Sequence, residues 1–376
     1  MQQKPIFLSG LNGIRTIAAL GVMISHINIG LNHYFSVKEY SLFGFDSNGQ
    51  QKGWALGEHG VTMFFVLSGF LITFLLKKEF EKTQTINIKA FFMRRILRIW
   101  PLYYFYFFIT IGALYIFYNE GLKFDYLYYI FFLANIPFIE GKVYHGLNHL
   151  WSIGVEEQFY LFWPFLFLYA KKNFMKIVVG LIIFQSLIRI FLWFKFPFTF
   201  IATLSAVNRF DCMMFGAAIA LLYLQKSKLL NIFNNKPVQI AAWCILLMLF
   251  FNVFHFFNSI IEIFVIAIVT GVLIIGQINI SNRIINLEQS LISYLGKLSF
   301  GIYVYHPLII LLLSYVLKTS KLNISEEITM ILIYITVVFL TIAISHISYY
   351  HFEAKFLKLK HRFSIVESTN ERQKNK

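Results

Sequence analysis

Apolar runs of about 20 residues recur along the chain, and each is long enough to cross the hydrocarbon core of a bilayer as a helix. Backbone N–H and C=O groups find no water in hydrocarbon, so only helices and closed barrels can span it. The short alternating strands of a barrel are missing from the sequence. Charged residues make up only 14% of the chain, against about 25% in soluble domains. The sequence therefore predicts an all-α integral membrane protein.

The apolar pattern predicts about ten transmembrane helices. The predicted spans are 8–30, 59–76, 99–118, 151–170, 175–194, 205–225, 238–257, 260–279, 293–317 and 327–351. An eleventh apolar segment, 124–139, is short and contains Pro137.

Loop charge decides whether the segment 124–139 crosses the membrane, because cytoplasmic loops carry an excess of Lys and Arg. The connection from Lys77 to Arg98 has seven Lys or Arg against two Glu, a net charge of +5. If 124–139 does not span, the later basic clusters and the basic C-terminal segment fall on the same side. We therefore expect both termini to be cytoplasmic and 124–139 to be a re-entrant or interfacial piece on the outer side.

Composition narrows the expected partners and cofactors. The positive-inside bias of membrane proteins accounts for the net charge of +15, so we expect a lipid bilayer around the chain and no nucleic acid. Cys212 and Cys244 both fall in predicted spans, so no structural disulfide is expected. No metal-ligand spacing stands out. We assign residues 1–362 to one polytopic domain of the cell's inner (plasma) membrane and 363–376 to a polar, disordered cytoplasmic tail.

Ionisable residues inside spans are costly, so each is a functional candidate. Arg15 and His26 are 11 residues apart in the first span. Eleven residues make three helical turns, which places both side chains on one face about 16 Å apart along the axis. Histidine is the natural general base near neutral pH. The alternative is a packing histidine bonded to a neighbouring helix.

The fourth span begins with a polar face. His149, Ser152, Glu156 and Tyr160 fall on one side of that helix, whereas Glu157 points elsewhere. Glu156 is predicted at a depth similar to that of the first-helix histidine, so its carboxylate could orient and charge-stabilise that imidazole. The alternative is the polar start of a helix at the membrane interface.

Two later spans carry further candidates. Arg209 and Asp211 are two residues apart and cannot face each other, so each needs a partner on another helix or in a polar cavity. Tyr303 and His306 lie one turn apart, and Pro307 leaves the carbonyl of Tyr303 without its helical partner. The alternative for this second pair is a proline kink beside a satisfied histidine.

The cytoplasmic end of the third span carries Arg95 and Arg98 at i and i+3. Such a pair can clamp phosphates through bidentate hydrogen bonds. The alternative is a charge cluster that only sets topology.

Together these motifs resemble the acyltransferase-3 family of bacterial membrane proteins, which includes O-antigen and peptidoglycan O-acetyltransferases. The resemblance covers residues 7–355 and begins with the Arg-x10-His spacing of the first span. It continues through GVTMFFVLSGFLIT at 60–73, RRILRIWPLYY at 94–104 and HLWSIGVEEQFYLFWP at 149–164. RFDCMMFG at 209–216 and LGKLSFGIYVYHPLI at 295–309 are similar to the later family blocks.

The resemblance implies transfer of an acyl group, commonly acetyl, from cytoplasmic acyl-CoA to a hydroxyl of a glycan or lipid-linked sugar. It also implies essential roles for Arg15 and His26 and for Arg95 with Arg98. Some family members append a soluble esterase-like domain at the C-terminus, which this sequence does not show. We therefore expect direct acylation of the acceptor, or a second external step by another protein of polysaccharide assembly.

These expectations combine into one mechanism with two competing readings. Arg95, Arg98 and Arg15 hold the donor phosphates, and His26, supported by Glu156, takes the acceptor proton. Ser152 as a covalent nucleophile is less favoured because no nucleophile elbow surrounds it. The competing readings are a transporter or flippase and a non-catalytic partner in polysaccharide export.

Topology is directly testable. A reporter fused after Phe363 and one fused near Lys171 should both report cytoplasm, because the basic clusters beside them belong on the inner side. An external signal at Lys171 would contradict the count of ten spans and put Glu156 on the wrong side of the membrane.

Overall fold

The computed structural model describes residues 6–45, 49, 51–251, 260–320, 324–366 and 368–369. Its helices are α1 (Leu11–Phe35), α2 (Ala55–Thr83), α3 (Ile88–Tyr118), α4 (Tyr126–Ile130), α5 (Asn135–Ile139), α6 (Trp151–Ala170), α7 (Phe174–Lys195), α8 (Phe200–Val207), α9 (Phe210–Leu224), α10 (Leu230–Phe233), α11 (Lys236–Phe250), α12 (Ile260–Ile278), α13 (Ser290–Ser320), α14 (Glu326–Ile347) and α15 (Ala354–His361). A π-helical turn at Ser348–Glu353 joins the last two.

The predicted all-α membrane protein is confirmed, and helices occupy all ten predicted spans. Eight helical stretches of the described chain are long and apolar enough to cross a membrane. One of them, 148–195, runs for 48 residues through α6 and α7. That length is roughly 72 Å of helix, more than twice the hydrocarbon thickness, so it supplies two crossings. The seventh predicted span coincides with α11, which is shorter, and residues 252–259 lie outside the described part.

The segment 124–139 does not span, as predicted, because it forms only the five-residue helices α4 and α5. It is re-entrant: the hydroxyls of Tyr103 and Tyr104, midway along α3, donate to the carbonyls of Tyr129 and Ile130. A Cβ at Gly154 would lie 2.7 Å from the carbonyl of Phe132. The absence of a side chain there lets the re-entrant loop press against α6.

Close backbone approach holds the centre of the bundle together. The first helix, α1, packs between α2 and α13, and α2 packs along α9. Gly69 of α2 lies against the carbonyl of Met213, and Gly216 of α9 lies against the carbonyl of Val66. A Cβ at either glycine would overlap the opposite backbone, which is the small-residue packing that membrane helices use.

The two ends of the described chain meet at one rim of the bundle. Ile6–Phe7 pairs in parallel with Ser368–Thr369, and Arg94 of α3 donates to the carbonyl of Phe363. Termini on the same side require an even number of crossings, in agreement with ten. Which side faces the cytoplasm stays a prediction. Residues 367 and 370–376 of the predicted disordered tail lie outside the described residues.

Candidate functional site

A cavity lies between α1, α2, α3, α6 and α13. Its wall combines aromatic rings with convergent polar groups, the composition typical of small-molecule sites. The lining residues are Arg15, Val61, Phe64, Phe65, Ser68, Leu71, Arg95, Arg98, Ile99, Ser152, Ile153, Glu156, Tyr160, Ser299, Phe300 and Tyr303. Six residues predicted from the sequence as site residues are among them.

One end of the cavity is cationic. Arg15, Arg95 and Arg98 all line it, and the guanidinium of Arg95 lies 5.4 Å from the centre of the Tyr160 ring. Lys360 of α15 is close enough to interact electrostatically with all three arginines. Glu156 is the one carboxylate among the lining residues of this cavity, so the cavity carries an excess of positive charge.

The neighbouring Arg94 has a different role from the other two arginines of its motif. Its guanidinium makes a 2.8 Å ion pair with the buried Glu79 and donates to the carbonyl of Phe363. Of the three arginines in the predicted cytoplasmic cluster, only Arg95 and Arg98 therefore face the cavity.

Glu156 does not contact His26, and the predicted pairing of these two residues is wrong. One carboxylate oxygen of Glu156 accepts hydrogen bonds from the hydroxyls of Ser68 and Tyr160. Ser152, one turn nearer the predicted outer end of α6, is level with Tyr303 and lies beside the histidines. Glu156 lies about 6 Å further along the helix axis than Ser152. Its carboxylate is therefore too far away to contact the imidazole of His26.

Ser152 and Tyr303 close the end of the cavity opposite the arginines. Their hydroxyl oxygens are 2.5 Å apart, and the Tyr303 hydroxyl donates to the carbonyl of His149 at 2.8 Å. The Ser152 hydroxyl also lies 3.2 Å from that carbonyl. Within the residues that the structure describes, no imidazole contacts Ser152, so a Ser–His nucleophile is not assembled among them.

A cluster of three histidine rings lies directly beyond Tyr303. Nδ1 of His26 is 2.7 Å from Nε2 of His306, and Nδ1 of His306 is 2.9 Å from the carbonyl oxygen of Ile302. The buried His149 ring lies 5.6 Å from that of His306. The histidine of the first helix is thus joined to the histidine of the Tyr–His pair, two motifs that the sequence left unconnected.

His26 and His306 form a hydrogen-bonded pair that we call the histidine relay, and the carbonyl of Ile302 fixes the tautomers of both rings. The oxygen of Ile302 can only accept, so Nδ1 of a neutral His306 carries the proton and Nε2 is a lone-pair acceptor. Nδ1 of His26 must then carry a proton and donate a hydrogen bond to Nε2 of His306. Nε2 of His26 is left unprotonated, which is the state of a general base.

Gly57 of α2 lies close to that nitrogen. A Cβ at Gly57 would lie 4.0 Å from Nε2 of His26 and 3.0 Å from Oγ of Ser25. Val61, one turn further along α2, lines the cavity. Nε2 of His26 therefore faces the same side of α2 that forms the cavity wall.

Arg209 and Asp211 lie outside the cavity, although both were predicted as supporting site residues. Arg209 makes a 2.6 Å ion pair with Glu58 of α2, and Asp211 makes a 2.5 Å ion pair with Arg189 of α7. The expectation that each has a partner on another helix is confirmed. The physical reason for their position is that α9 packs between α2 and α7, away from α1.

Sequence reasoning missed several residues at the site. Ser68 and Ser299 line the cavity, Lys360 lies near its cationic end, and the backbone carbonyl of Ile302 fixes the orientation of His306. Only Lys360 carried a sequence signal, as a charged residue near the end of the last span. Within the described chain, no group of three His, Cys, Asp or Glu is arranged to hold a metal ion.

Comparison with known proteins identifies relatives over nearly the whole chain. A family model described as an acyltransferase domain matches residues 8–350. "Putative O-acetyltransferase SACOL0978" of Staphylococcus aureus (strain COL) is 27% identical over 95% of this chain and 58% of its own length. "O-acetyltransferase OatA" of Staphylococcus aureus (strain NCTC 8325 / PS 47) is 26% identical over 94% of this chain and 58% of its own length. No solved structure matches significantly.

The Arg189–Asp211 pair predicts a large loss of stability on removal of one partner, because both side chains are only 1% exposed. Arg189→Ala should destabilise the protein by about 3–5 kcal/mol, since it leaves a buried carboxylate without its counter-charge. Thermal unfolding of detergent-purified protein measures this, with exposed Lys195→Ala on the same helix as the control. Arg189→Ala combined with Asp211→Ala should recover part of the loss; a wild-type melting temperature for the single variant would contradict the assignment.

Proposed function

This chain belongs to the acyltransferase-3 family, and on that premise we propose that it is a membrane O-acetyltransferase. The proposed donor is cytoplasmic acetyl-CoA, and the proposed acceptor is a hydroxyl of a cell-surface or lipid-linked glycan. The observation that carries the proposal is a cavity with three arginines at one end and a histidine base beyond the other. The names of the relatives support O-acetyl transfer, and the chain spans 58% of their length.

The cationic end suits the phosphates of the donor. Guanidinium groups bind phosphate through paired, charge-assisted hydrogen bonds, and Arg15, Arg95 and Arg98 converge on one space. The cavity wall above them consists of aromatic rings, against which the uncharged arm of CoA can pack. The separation of Arg15 and His26 along α1 is about 16 Å, so an extended arm directs its thioester toward the histidines.

Acetyl transfer then needs one base and one space for the reacting atoms. Nε2 of His26 takes the proton of the acceptor hydroxyl as the oxygen attacks the thioester carbonyl carbon. The new C–O bond forms, the C–S bond breaks, and the leaving CoA thiolate takes up the proton from His26. The hydroxyls of Ser152 and Tyr303 lie at the same end of the cavity, and either would donate to the oxygen that becomes negative by giving up its present hydrogen bond.

Gly57 and the relay to His306 keep this geometry in place. The missing side chain at Gly57 lets α2 approach Ser25 and His26 of α1 closely, so Nε2 of His26 is held beside α2. His306 accepts from Nδ1 of His26, which fixes the ring orientation and stabilises the imidazolium that forms. In the proposed arrangement it does the work that a carboxylate does in a catalytic triad.

Removal of the base should abolish transfer without loss of the fold. His26→Ala is expected to lower the rate of acetyl transfer by about 10²–10⁴-fold, measured with labelled acetyl-CoA on purified protein at matched thermal stability. His351→Ala, an exposed histidine, is the control. His306→Ala should cost less, because Nε2 of His26 remains present but is no longer oriented, and its pH–rate profile should shift.

One outcome would contradict the proposed mechanism, and another would contradict the proposed function. Full activity in His26→Ala would remove the base from the mechanism. No transfer from acetyl-CoA by the wild-type protein to any acceptor or to water would favour a transporter or a non-catalytic export partner.

The donor site predicts a separate defect in Arg95 and Arg98. Replacing both with Gln should raise the KM for acetyl-CoA by at least about 100-fold, since each charge-assisted hydrogen bond contributes about 1.5–3 kcal/mol. Replacement by Lys should also raise it, because the charge is kept and the bidentate fork is lost. Lys172→Gln, an exposed charge on the same predicted side, should change nothing. Normal KM in both double variants would reduce the arginines to topology-setting charges.

A further inference from the structure

A second cavity opens at the end of the bundle opposite the arginines. We call it the distal pocket; it lies where the last turns of α1 and α13 meet the start of α14. Its lining residues are Tyr34, Phe35, Val37, Ser314, Leu317, Lys318, Ile324, Glu326 and Thr329. The proposed function does not use any of them.

The polar groups of the distal pocket are partly or fully open to solvent. One oxygen of Glu326 accepts hydrogen bonds from the backbone N–H groups of Lys38 and Glu39, at 2.7 and 3.0 Å. Its other oxygen, the ammonium of Lys318 and the hydroxyl of Thr329 make no hydrogen bond or ion pair within the part of the chain that the structure describes. The pocket thus offers a carboxylate acceptor, a cationic donor and a hydroxyl to a ligand.

The ring of Tyr34 lies beside these groups in a fixed orientation. The hydroxyl of the half-buried Tyr34 lies 3.1 Å from Nδ1 of His145, and the ring of His33 packs edge-on at 4.6 Å. Burial lowers the pKa of His145, so its imidazole stays neutral at neutral pH and Nδ1 can accept from the tyrosine. The Tyr34 ring is therefore held in place from two sides and presents a fixed apolar face.

The distal pocket and the proposed base share one helix seam. His26, Gly30 and Tyr34 follow one another at four-residue intervals on the same face of α1. A Cβ at Gly30 would touch both Tyr34 and Ile310 of α13, so the seam stays tightly packed between the two sites. Eight residues of helix separate His26 from Tyr34, a distance of about 12 Å.

We propose that the distal pocket binds a sugar unit of the acceptor glycan, some way along the chain from the unit whose hydroxyl is acetylated at His26. A sugar combines an apolar C–H face with a rim of hydroxyls. The apolar C–H face can stack on the ring of Tyr34. The hydroxyls can form hydrogen bonds with the side chains of Glu326, Lys318 and Thr329. The distance of about 12 Å between His26 and Tyr34 is too long for a single sugar, whereas an oligosaccharide can span it. This inference rests on the proposed function.

Binding of oligosaccharides to the purified protein in nanodiscs tests the proposal. The probe is an immobilised panel of hexose and N-acetylhexosamine oligosaccharides of increasing length. We expect the wild-type protein to bind longer members, and Tyr34→Ala, Lys318→Met and Glu326→Gln each to weaken that binding at least about tenfold, as loss of one well-made polar contact would. Tyr34→Phe keeps the ring and should retain most binding. Lys195→Met, an exposed lysine outside the pocket, is the control.

The outcomes separate this inference from the proposed function. Release of CoA from acetyl-CoA by transfer to water should be unchanged in the distal-pocket variants, because none of them contacts the donor cavity. Absence of any transfer from acetyl-CoA by the wild-type protein, either to an acceptor or to water, would overturn the proposed function alone. Absence of glycan binding by the wild type, equal binding by Tyr34→Ala at matched thermal stability, or displacement of the glycans by anionic lipid vesicles would each overturn the distal-pocket assignment.

Discussion

Hydrocarbon tolerates no unsatisfied charge, and this one constraint sorts the polar residues of the bundle into two groups. The first group pairs across helix contacts: Arg209 with Glu58, Arg189 with Asp211, and His59 with Glu262 at 3.5 Å. The second group, led by Arg15, Arg95 and Arg98, faces a common cavity in which positive charge exceeds negative charge. A cavity of that kind is open to an anionic ligand, whereas the paired residues fasten α2, α7, α9 and α12 together.

The cavity and the histidine relay lie one after the other along the axis of the bundle. Arg15, Arg95 and Arg98 lie at one end of the cavity, and the imidazoles of His26 and His306 lie beyond the other end. The paired hydroxyls of Ser152 and Tyr303 lie between the two groups. A reaction whose donor and acceptor arrive from opposite sides of a membrane needs this separation, because each substrate then reaches the reacting atoms without passing through the other's site.

The helices were predictable because the length and composition of an apolar run determine whether it can cross the bilayer as a helix. The shared faces of Ser152, Glu156 and Tyr160 followed from helical periodicity, and loop charge predicted correctly that 124–139 does not span. Which helices touch was not predictable, because a single sequence holds no record of distance between segments. For that reason Glu156 was paired with the wrong residue, and the link between His26 and His306 was missed.

The hydrogen bond between His26 and His306 joins residues 280 positions apart. One imidazole belongs to α1 and the other to α13. The proposed base is therefore not oriented until α13 has been synthesised and packed against α1. A chain that stops before α13 can contain the arginine-lined wall of α1, α2, α3 and α6, yet it lacks the partner that fixes the tautomer of His26. On the proposed mechanism, the site becomes competent only when α13 is in place.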